Sequence, residues 1–222
     1  MNSGSNCQFS IVNRQLVKVC GMTEDNNIRA VEQLNPDMMG FIFYPQSPRY
    51  CRQKPTYLPE LAKRVGVFVD TTEEEIQNRW FDFKLDYIQL HGNESPAFCQ
   101  SLKEKGICVI KAFQVSSADD LTGVEAYEGL CDYFLFDTKS SQKGGSGKQF
   151  NWQLLLQYQG HTPFLLSGGI GLESVCQLQT FTHPMLAGYD LNSRFETSPG
   201  IKNIALLKEF MKTTFSHQKK LL

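Results

Sequence analysis

The sequence lacks any excess of positive charge and any long apolar run. Its 222 residues carry 22 Lys and Arg against 23 Asp and Glu, a formal net charge of −1. Proteins that bind nucleic acid through its phosphates need a basic surface, so we expect no nucleic-acid partner. No apolar run approaches the roughly 20 residues of a membrane-spanning helix, and residues 1–14 lack the apolar centre of a signal peptide. We therefore expect no membrane partner and a cytoplasmic location.

The sequence also lacks the residue spacings that hold metal ions and disulfide frameworks. Its seven cysteines include no C-x-x-C pair, and no histidine has a second histidine or an acid at a metal-ligand spacing. We therefore expect reduced thiols and no metal site.

Short apolar runs recur along the chain with helix-like segments between them, as in a chain of βα units. The continuous apolarity of Gly40–Phe43 and Val65–Val69 is typical of parallel strands buried on both faces. No segment reads as a linker, so we expect one domain over residues 1–222, with residues 1–14 and 216–222 as frayed tails. The eight runs are Leu16 to Cys20, Met38 to Phe43, Arg64 to Val69, Tyr87 to Leu90, Cys108 to Ala112, Tyr133 to Phe136, Pro163 to Leu166 and Met185 to Tyr189.

The residues that follow these runs decide between two α/β architectures. A doubly wound open sheet also alternates strands and helices, but in a (β/α)₈ barrel the site is built from the carboxyl ends of many strands. Polar or glycine residues follow most of the runs, which favours a single (β/α)₈ TIM barrel. These residues are Cys20, Asp70, His91, Asp137, Ser167-Gly168-Gly169 and Asp190.

Two of these strand-end residues could carry acid–base chemistry. Cys20 could act as a nucleophile or base if its thiolate were stabilised, although a free cysteine is more often a small buried apolar side chain. Asp137 could be a carboxylic acid with a raised pKa, or it could simply cap a turn. The residues alone leave both alternatives open.

Other residues could bind a ligand at the same end. The backbone N–H groups of Gly168 and Gly169 could face a phosphate, although glycine pairs often only mark turns. Arg49 could grip a carboxylate through its planar fork or remain a solvated loop residue. Gln89 and His91 share one face of the fourth strand, which points either into the barrel or toward the helices.

The glycine-rich segment Gly144–Lys148 is not a nucleotide-binding loop. Gln142 and Gln149 stand where the Walker pattern requires Gly and Ser or Thr, and Phe150 stands where the dinucleotide fingerprint requires a third glycine. We therefore interpret residues 142–147 as a flexible lid over the site.

The order of the motifs resembles the phosphoribosylanthranilate isomerase family from about Leu16 to Phe210. The resemblance implies a cofactor-independent barrel, with Cys20 as general base, Asp137 as general acid and Arg49 facing the anthranilate carboxylate. It places Gly168, Gly169 and the loop of Asp190, Asn192 and Ser193 at the phosphate and ribose end, with Gln89 and His91 also at the substrate. The motifs are Val17–Thr23, Ser47–Tyr50, Val65–Val69, Ile88–Gly92, Phe136–Asp137, Gly144–Lys148, Ser167–Ile170 and Ser198–Lys202.

The implied activity is an Amadori rearrangement of a small phosphorylated aminosugar in tryptophan biosynthesis, carried out by a monomer or homodimer. Asp137 would have to start protonated and Cys20 deprotonated, so we expect their pKa values to shift in opposite directions, with Lys18 lowering that of Cys20. Arg194 departs from the family pattern, which has a glycine there. The alternative function is a non-catalytic barrel that binds a phosphorylated metabolite.

Overall fold

The structure, a computed structural model, describes residues 15–138 and 151–215. Eight parallel strands follow one another around a closed barrel, and β8 pairs with β1. The predicted single barrel is therefore confirmed, while the expected tails and the lid at 142–147 lie outside the described residues. The strands are β1 Leu16–Cys20, β2 Met38–Ile42, β3 Lys63–Phe68, β4 Tyr87–Leu90, β5 Cys108–Val115, β6 Tyr133–Thr138, β7 Phe164–Leu166 and β8 Leu186–Leu191.

Three strands extend further than their apolar runs predict. β5 and β6 stay paired as far as Val115 and Thr138, so Asp137 lies inside β6 instead of following it. Asp190 likewise lies inside β8, where it is in register with Lys18 of β1. Pairing with a neighbouring strand keeps these polar residues extended, although the apolar pattern has already ended.

The described residues include five α-helices, which pack around the barrel. Two fully described connections contain no α-helix: residues 43–62 contain no helix, and only 3₁₀ turns stand between β5 and β6. The predicted start at Ser95-Pro96 is confirmed, because Ser95 accepts a hydrogen bond from the N–H of Phe98. No helix in the described residues is both long and apolar enough to cross a membrane. The helices are α1 Asp25–Glu32, α2 Glu73–Phe83, α3 Pro96–Glu104, α4 Val175–Thr180 and α5 Ile204–Phe215.

Alternate residues of each strand belong to two separate cores. The larger core fills the space between the barrel and its helices, and it includes Val17, Val19, Ile88, Phe134 and Phe136. The residues between them point inward and form a second core within the barrel. Inward and outward faces are thereby fixed for every strand. The interior core consists of Leu16, Met38, Val65, Tyr87, Cys108, Ile110, Ala112, Tyr133, Leu135 and Leu165.

Five cysteines of the described residues carry free thiols, as the sequence predicts: Cys20, Cys51, Cys99, Cys131 and Cys176.

Candidate active site

A cavity opens at the carboxyl ends of the strands. Every site residue predicted from the sequence lines it except Arg49: Cys20, Gln89, His91, Asp137, Gly168, Gly169, Asp190, Asn192 and Ser193. Several other lining residues carry no ligand role predicted from the sequence, namely Ile42, Tyr44, Ser47, Val67, Val69 and Gln114.

Strand alternation explains why the predicted residues converge. Tyr87 lies in the interior core and Ile88 in the outer one, so Gln89 and then His91 must point inward. This resolves the direction that the sequence left open for β4. The same alternation runs from Leu16 through Lys18 to Cys20. Once one inward residue of a strand is known, the sequence therefore gives the other inward residues of that strand.

Cys20 lies at the floor of the cavity and is only 3% exposed. Below it on the same strand, the fully buried Lys18 extends its Nζ to within 2.8 Å of Asp190 Oδ1. Burial raises the pKa of the Cys20 thiol, and the charge of Lys18 lowers it by less. The net shift of the pKa is upward, so the expected lowering of the Cys20 pKa is wrong.

Gly40 makes room for this thiol. It is in register with Cys20 on the neighbouring strand β2, and a Cβ built on it would lie 2.7 Å from Cys20 Sγ. A side chain at position 40 would therefore displace the sulfur.

Each carboxylate oxygen of Asp137 has a polar neighbour, a backbone N–H for one oxygen and a histidine ring nitrogen for the other. Oδ1 accepts a hydrogen bond of 2.8 Å from the N–H of Thr138, and Oδ2 lies 3.4 Å from His91 Nε2. The Asp137 side chain is 21% exposed and borders the cavity. The carboxyl group is thus fixed in direction and open to a ligand.

The loop after β7 borders the cavity next to Asp137. Its Gly168 and Gly169 both have positive φ angles, 89° and 68°, which few other residues adopt without strain. A 3₁₀ turn at Leu172–Ser174 follows them, and α4 begins at Val175. The N–H groups that could face an anion are therefore those of a turn.

Arg49 is buried behind the cavity and is not a solvated loop residue. Its Nε and Nη2 donate to both carboxylate oxygens of Glu196, at 2.9 and 2.6 Å. Lys202 Nζ bonds Glu196 Oε1 and Asn192 Oδ1, each at 2.7 Å. Hydrogen bonds from Arg49 and the charge of Lys202 hold the pKa of Glu196 below its usual value, despite its burial.

This ion-pair network connects the loop after β2 to the loop after β8. Sequence reasoning gave no role to Glu196 or Lys202, although Lys202 lies in one of the quoted motifs. Their pairing with Arg49 joins residues far apart in the chain, so no local spacing pointed to it.

The closed barrel has a cavity at the carboxyl ends of its strands, lined by Cys20, His91 and Asp137. These two features define a (β/α)₈-barrel protein built to act on a small molecule. Comparison with known proteins specifies which group of barrels this is. The chain belongs to the N-(5′-phosphoribosyl)anthranilate isomerase family, whose family model matches residues 17–213.

Individual relatives are similar to this chain over most of its length. The N-(5′-phosphoribosyl)anthranilate isomerase of Phocaeicola vulgatus is 52% identical over 196 residues, which are 88% of this chain and 96% of that protein. The crystal structure of phosphoribosyl anthranilate isomerase from Thermotoga maritima is 33% identical, with a TM-score of 0.80 over 91% of this chain and all (100%) of that one.

A further solved isomerase is in complex with reduced 1-(o-carboxyphenylamino)-1-deoxyribulose 5-phosphate. It is 31% identical, with a TM-score of 0.77, and the match covers 91% of this chain and 100% of that one.

Proposed function

We propose that this chain isomerises N-(5′-phosphoribosyl)anthranilate by an Amadori rearrangement in tryptophan biosynthesis, with Cys20 as general base and Asp137 as general acid. One observation carries the proposal: Cys20 on β1 and Asp137 on β6 line the same cavity, although they come from strands far apart in the barrel. A barrel that only bound a metabolite would need neither group.

The cavity has two chemically different sides that match the two ends of this substrate. Ile42 on β2, Val67 on β3 and Val69 just after β3 form an apolar wall, which suits the flat anthranilate ring. Gly168 and Gly169 lie across the barrel after β7, where many barrels bind phosphate. The compound held by the solved relative likewise carries a carboxyphenyl group at one end and a phosphate at the other.

The chemistry needs two proton transfers. Asp137 delivers a proton to the ring oxygen, the bond from that oxygen to C1′ breaks, and the amine nitrogen forms a C=N⁺ bond to C1′. Cys20 thiolate then takes the proton from C2′, the C=N⁺ electrons return to nitrogen, and the resulting enol tautomerises to the ketone. Each positioned acid or base typically contributes about 10²- to 10⁴-fold in rate.

The remaining predicted residues have supporting roles in this proposal. Asn192 and Ser193 border the phosphate side, and Asp190 acts from below Cys20 through Lys18. Arg49 faces the substrate carboxylate from behind the cavity wall in this proposal, while its Nε and Nη2 hold Glu196. No step requires a cofactor.

The proposal is tested by following the fluorescence of phosphoribosylanthranilate after adding purified protein. We expect the signal to decay in proportion to enzyme concentration and to persist with the Cys20→Ser/Asp137→Asn double variant. A signal that persists with the wild-type protein, together with binding of the substrate, would instead establish the non-catalytic phosphometabolite-binding barrel.

A further inference from the structure

The side chain of Gln89 is buried inside the barrel beside His91, and His91 in turn faces the proposed acid Asp137. It is 1% exposed and lines the cavity. Its Nε2 lies 2.9 Å from His91 Nδ1, and its Oε1 has no hydrogen-bond partner among the described residues. The amide nitrogen of Gln89 therefore bonds His91, and the amide oxygen is available to a ligand that enters the cavity.

The contact with Gln89 selects one form of the His91 ring. An amide nitrogen only donates, so Nδ1 must accept, and the neutral imidazole then carries its single hydrogen on Nε2. Nε2 is the ring nitrogen that lies 3.4 Å from Asp137 Oδ2. This distance is long for a hydrogen bond, but such contacts often shorten when a substrate closes the site.

We propose that Gln89 is a positioning residue that fixes the His91 tautomer, so that His91 Nε2–H is directed at the Asp137 carboxyl group, and that Gln89 Oε1 accepts a hydrogen bond from a hydroxyl or N–H group of the substrate. The contact between Gln89 Oε1 and the substrate rests on the proposed function, whereas the assignment of the His91 tautomer does not.

The loop that carries His91 is held rigidly enough for this role. The N–H of His91 bonds Phe68 O at 2.8 Å. Beyond it, Lys111 Nζ bonds Gly92 O at 2.8 Å and Glu94 Oε2 at 3.1 Å. Lys111 and Glu94 form a buried ion pair, so the loop after β4 is clamped from within the protein.

The tautomer affects catalysis through charge. When Asp137 gives up its proton, Oδ2 gains negative charge and His91 Nε2–H can donate to it, while the Thr138 N–H already serves Oδ1. In the reverse tautomer, a nitrogen lone pair would face the new carboxylate and repel it. A preorganised donor of this kind stabilises charge as it develops in the transition state.

The first test measures the tautomer directly. Imidazole ¹⁵N shifts of labelled protein, at a pH where the ring is neutral, distinguish Nε2–H from Nδ1–H, and the His91 signal is assigned by its loss in His91→Gln. We expect Nε2–H in the wild type. We expect Nδ1–H in Gln89→Glu, because a carboxylate at position 89 can only accept. Nδ1–H in the wild type would overturn the proposal, whatever the activity of the protein.

The second test joins the tautomer to the reaction. Gln89→Glu should lower kcat by at least ~10-fold, a part of the ~10²- to 10⁴-fold that a general acid contributes. Gln89→Met, which removes the acceptor, should also raise KM. The matched control is Gln157→Glu, the same change on an exposed side chain outside the cavity, and it should leave kcat, KM and the His91 shifts unchanged.

A reversed tautomer with wild-type kcat would refute the positioning role, and an unchanged KM in Gln89→Met would refute the contact with substrate. If the wild type has no isomerase activity, the proposed function fails while the NMR measurement still decides the tautomer. Thermal midpoints of all variants show whether they are folded.

Discussion

Lys18 Nζ lies 2.8 Å from Asp190 Oδ1 inside the barrel, and both side chains are almost completely buried. The two charges act in opposite directions on the Cys20 thiol: Lys18 lowers its pKa and Asp190 raises it. The pair therefore sets the pH at which the proposed base becomes active.

This relationship predicts opposite shifts in two variants. Because the pKa of Cys20 is raised, kcat/KM should increase as the pH rises through the ionisation of the thiol. Lys18→Met should move this increase to higher pH, and Asp190→Asn should move it to lower pH. The pH profile of kcat/KM reports the free enzyme's base, so profiles that coincide with the wild type would contradict the assignment. Lys18→Met leaves a buried carboxylate unpaired, at a cost of about 3–5 kcal/mol, so folding is checked by thermal unfolding.

Cys20→Ser should retain the binding of a product analogue and lose most turnover. Serine keeps the shape of the side chain, but its hydroxyl ionises far too weakly to take a carbon-bound proton near neutral pH. Titration of the analogue and kcat are measured on the same sample. Wild-type kcat would return Cys20 to the role of a buried packing residue.

Asp137→Asn should fold normally and lose kcat by roughly 10²-fold or more. An amide oxygen can still accept from the N–H of Thr138, as Asp137 Oδ1 does at 2.8 Å, but it cannot deliver a proton to the ring oxygen. The measurement is kcat together with the thermal midpoint. Full activity with an unchanged midpoint would show that Asp137 is only structural.

Gly168→Ala should impair both binding and chemistry. A Cβ at this position would overlap Thr138 Oγ1 and lie 2.9 Å from Asp137 Oδ1, and the φ angle of 89° is unfavourable for alanine. We expect KM to rise and kcat to fall together. A rise in KM with an unchanged kcat would mean that the Asp137 carboxyl group can move aside without loss of turnover. Gly106→Ala is the control, since Gly106 also has a positive φ of 75° but its Cβ would meet nothing within 4 Å.

Glu196→Gln should lower the free energy of unfolding and change how that free energy depends on pH. Removing the carboxylate leaves Arg49 and Lys202 as buried cations without their partner, which typically costs about 3–5 kcal/mol. Because the folded-state pKa of Glu196 is lowered, its contribution is complete above the unfolded-state pKa and is lost as the pH falls through the folded-state value. Urea unfolding at neutral and acidic pH should therefore show a difference between wild type and variant that shrinks in acid. A constant difference would contradict this.

The barrel could be predicted from the sequence because parallel strands buried on both faces leave continuous apolar runs such as Val65–Val69. The strand ends could be predicted less well. Asp137 and Asp190 are held in strands by pairing with the neighbouring strands, and a polar residue does not by itself indicate that a strand continues. The convergence of Cys20, His91 and Asp137 followed from strand order.

Other features of the site depend on tertiary contacts that no local pattern encodes. The pKa of Cys20 is raised by burial and by the charge of Asp190, and it is lowered by the charge of Lys18. The sequence shows the charges but not the burial. Arg49 and Glu196 are 147 residues apart in the chain. The contact between Gln89 and His91 needed the inward face of β4 to be known first.

The close approach of Gly40 to the Cys20 sulfur makes positions 20 and 40 one steric unit. Since a single methyl group at position 40 would come within 2.7 Å of Sγ, a larger residue at position 40 should be tolerated only together with a smaller one at position 20. Among homologues, we therefore expect these two positions to co-vary, with a larger residue at position 40 found only where position 20 is smaller than cysteine. Combinatorial libraries that aim to replace the base would have to vary both strands at once.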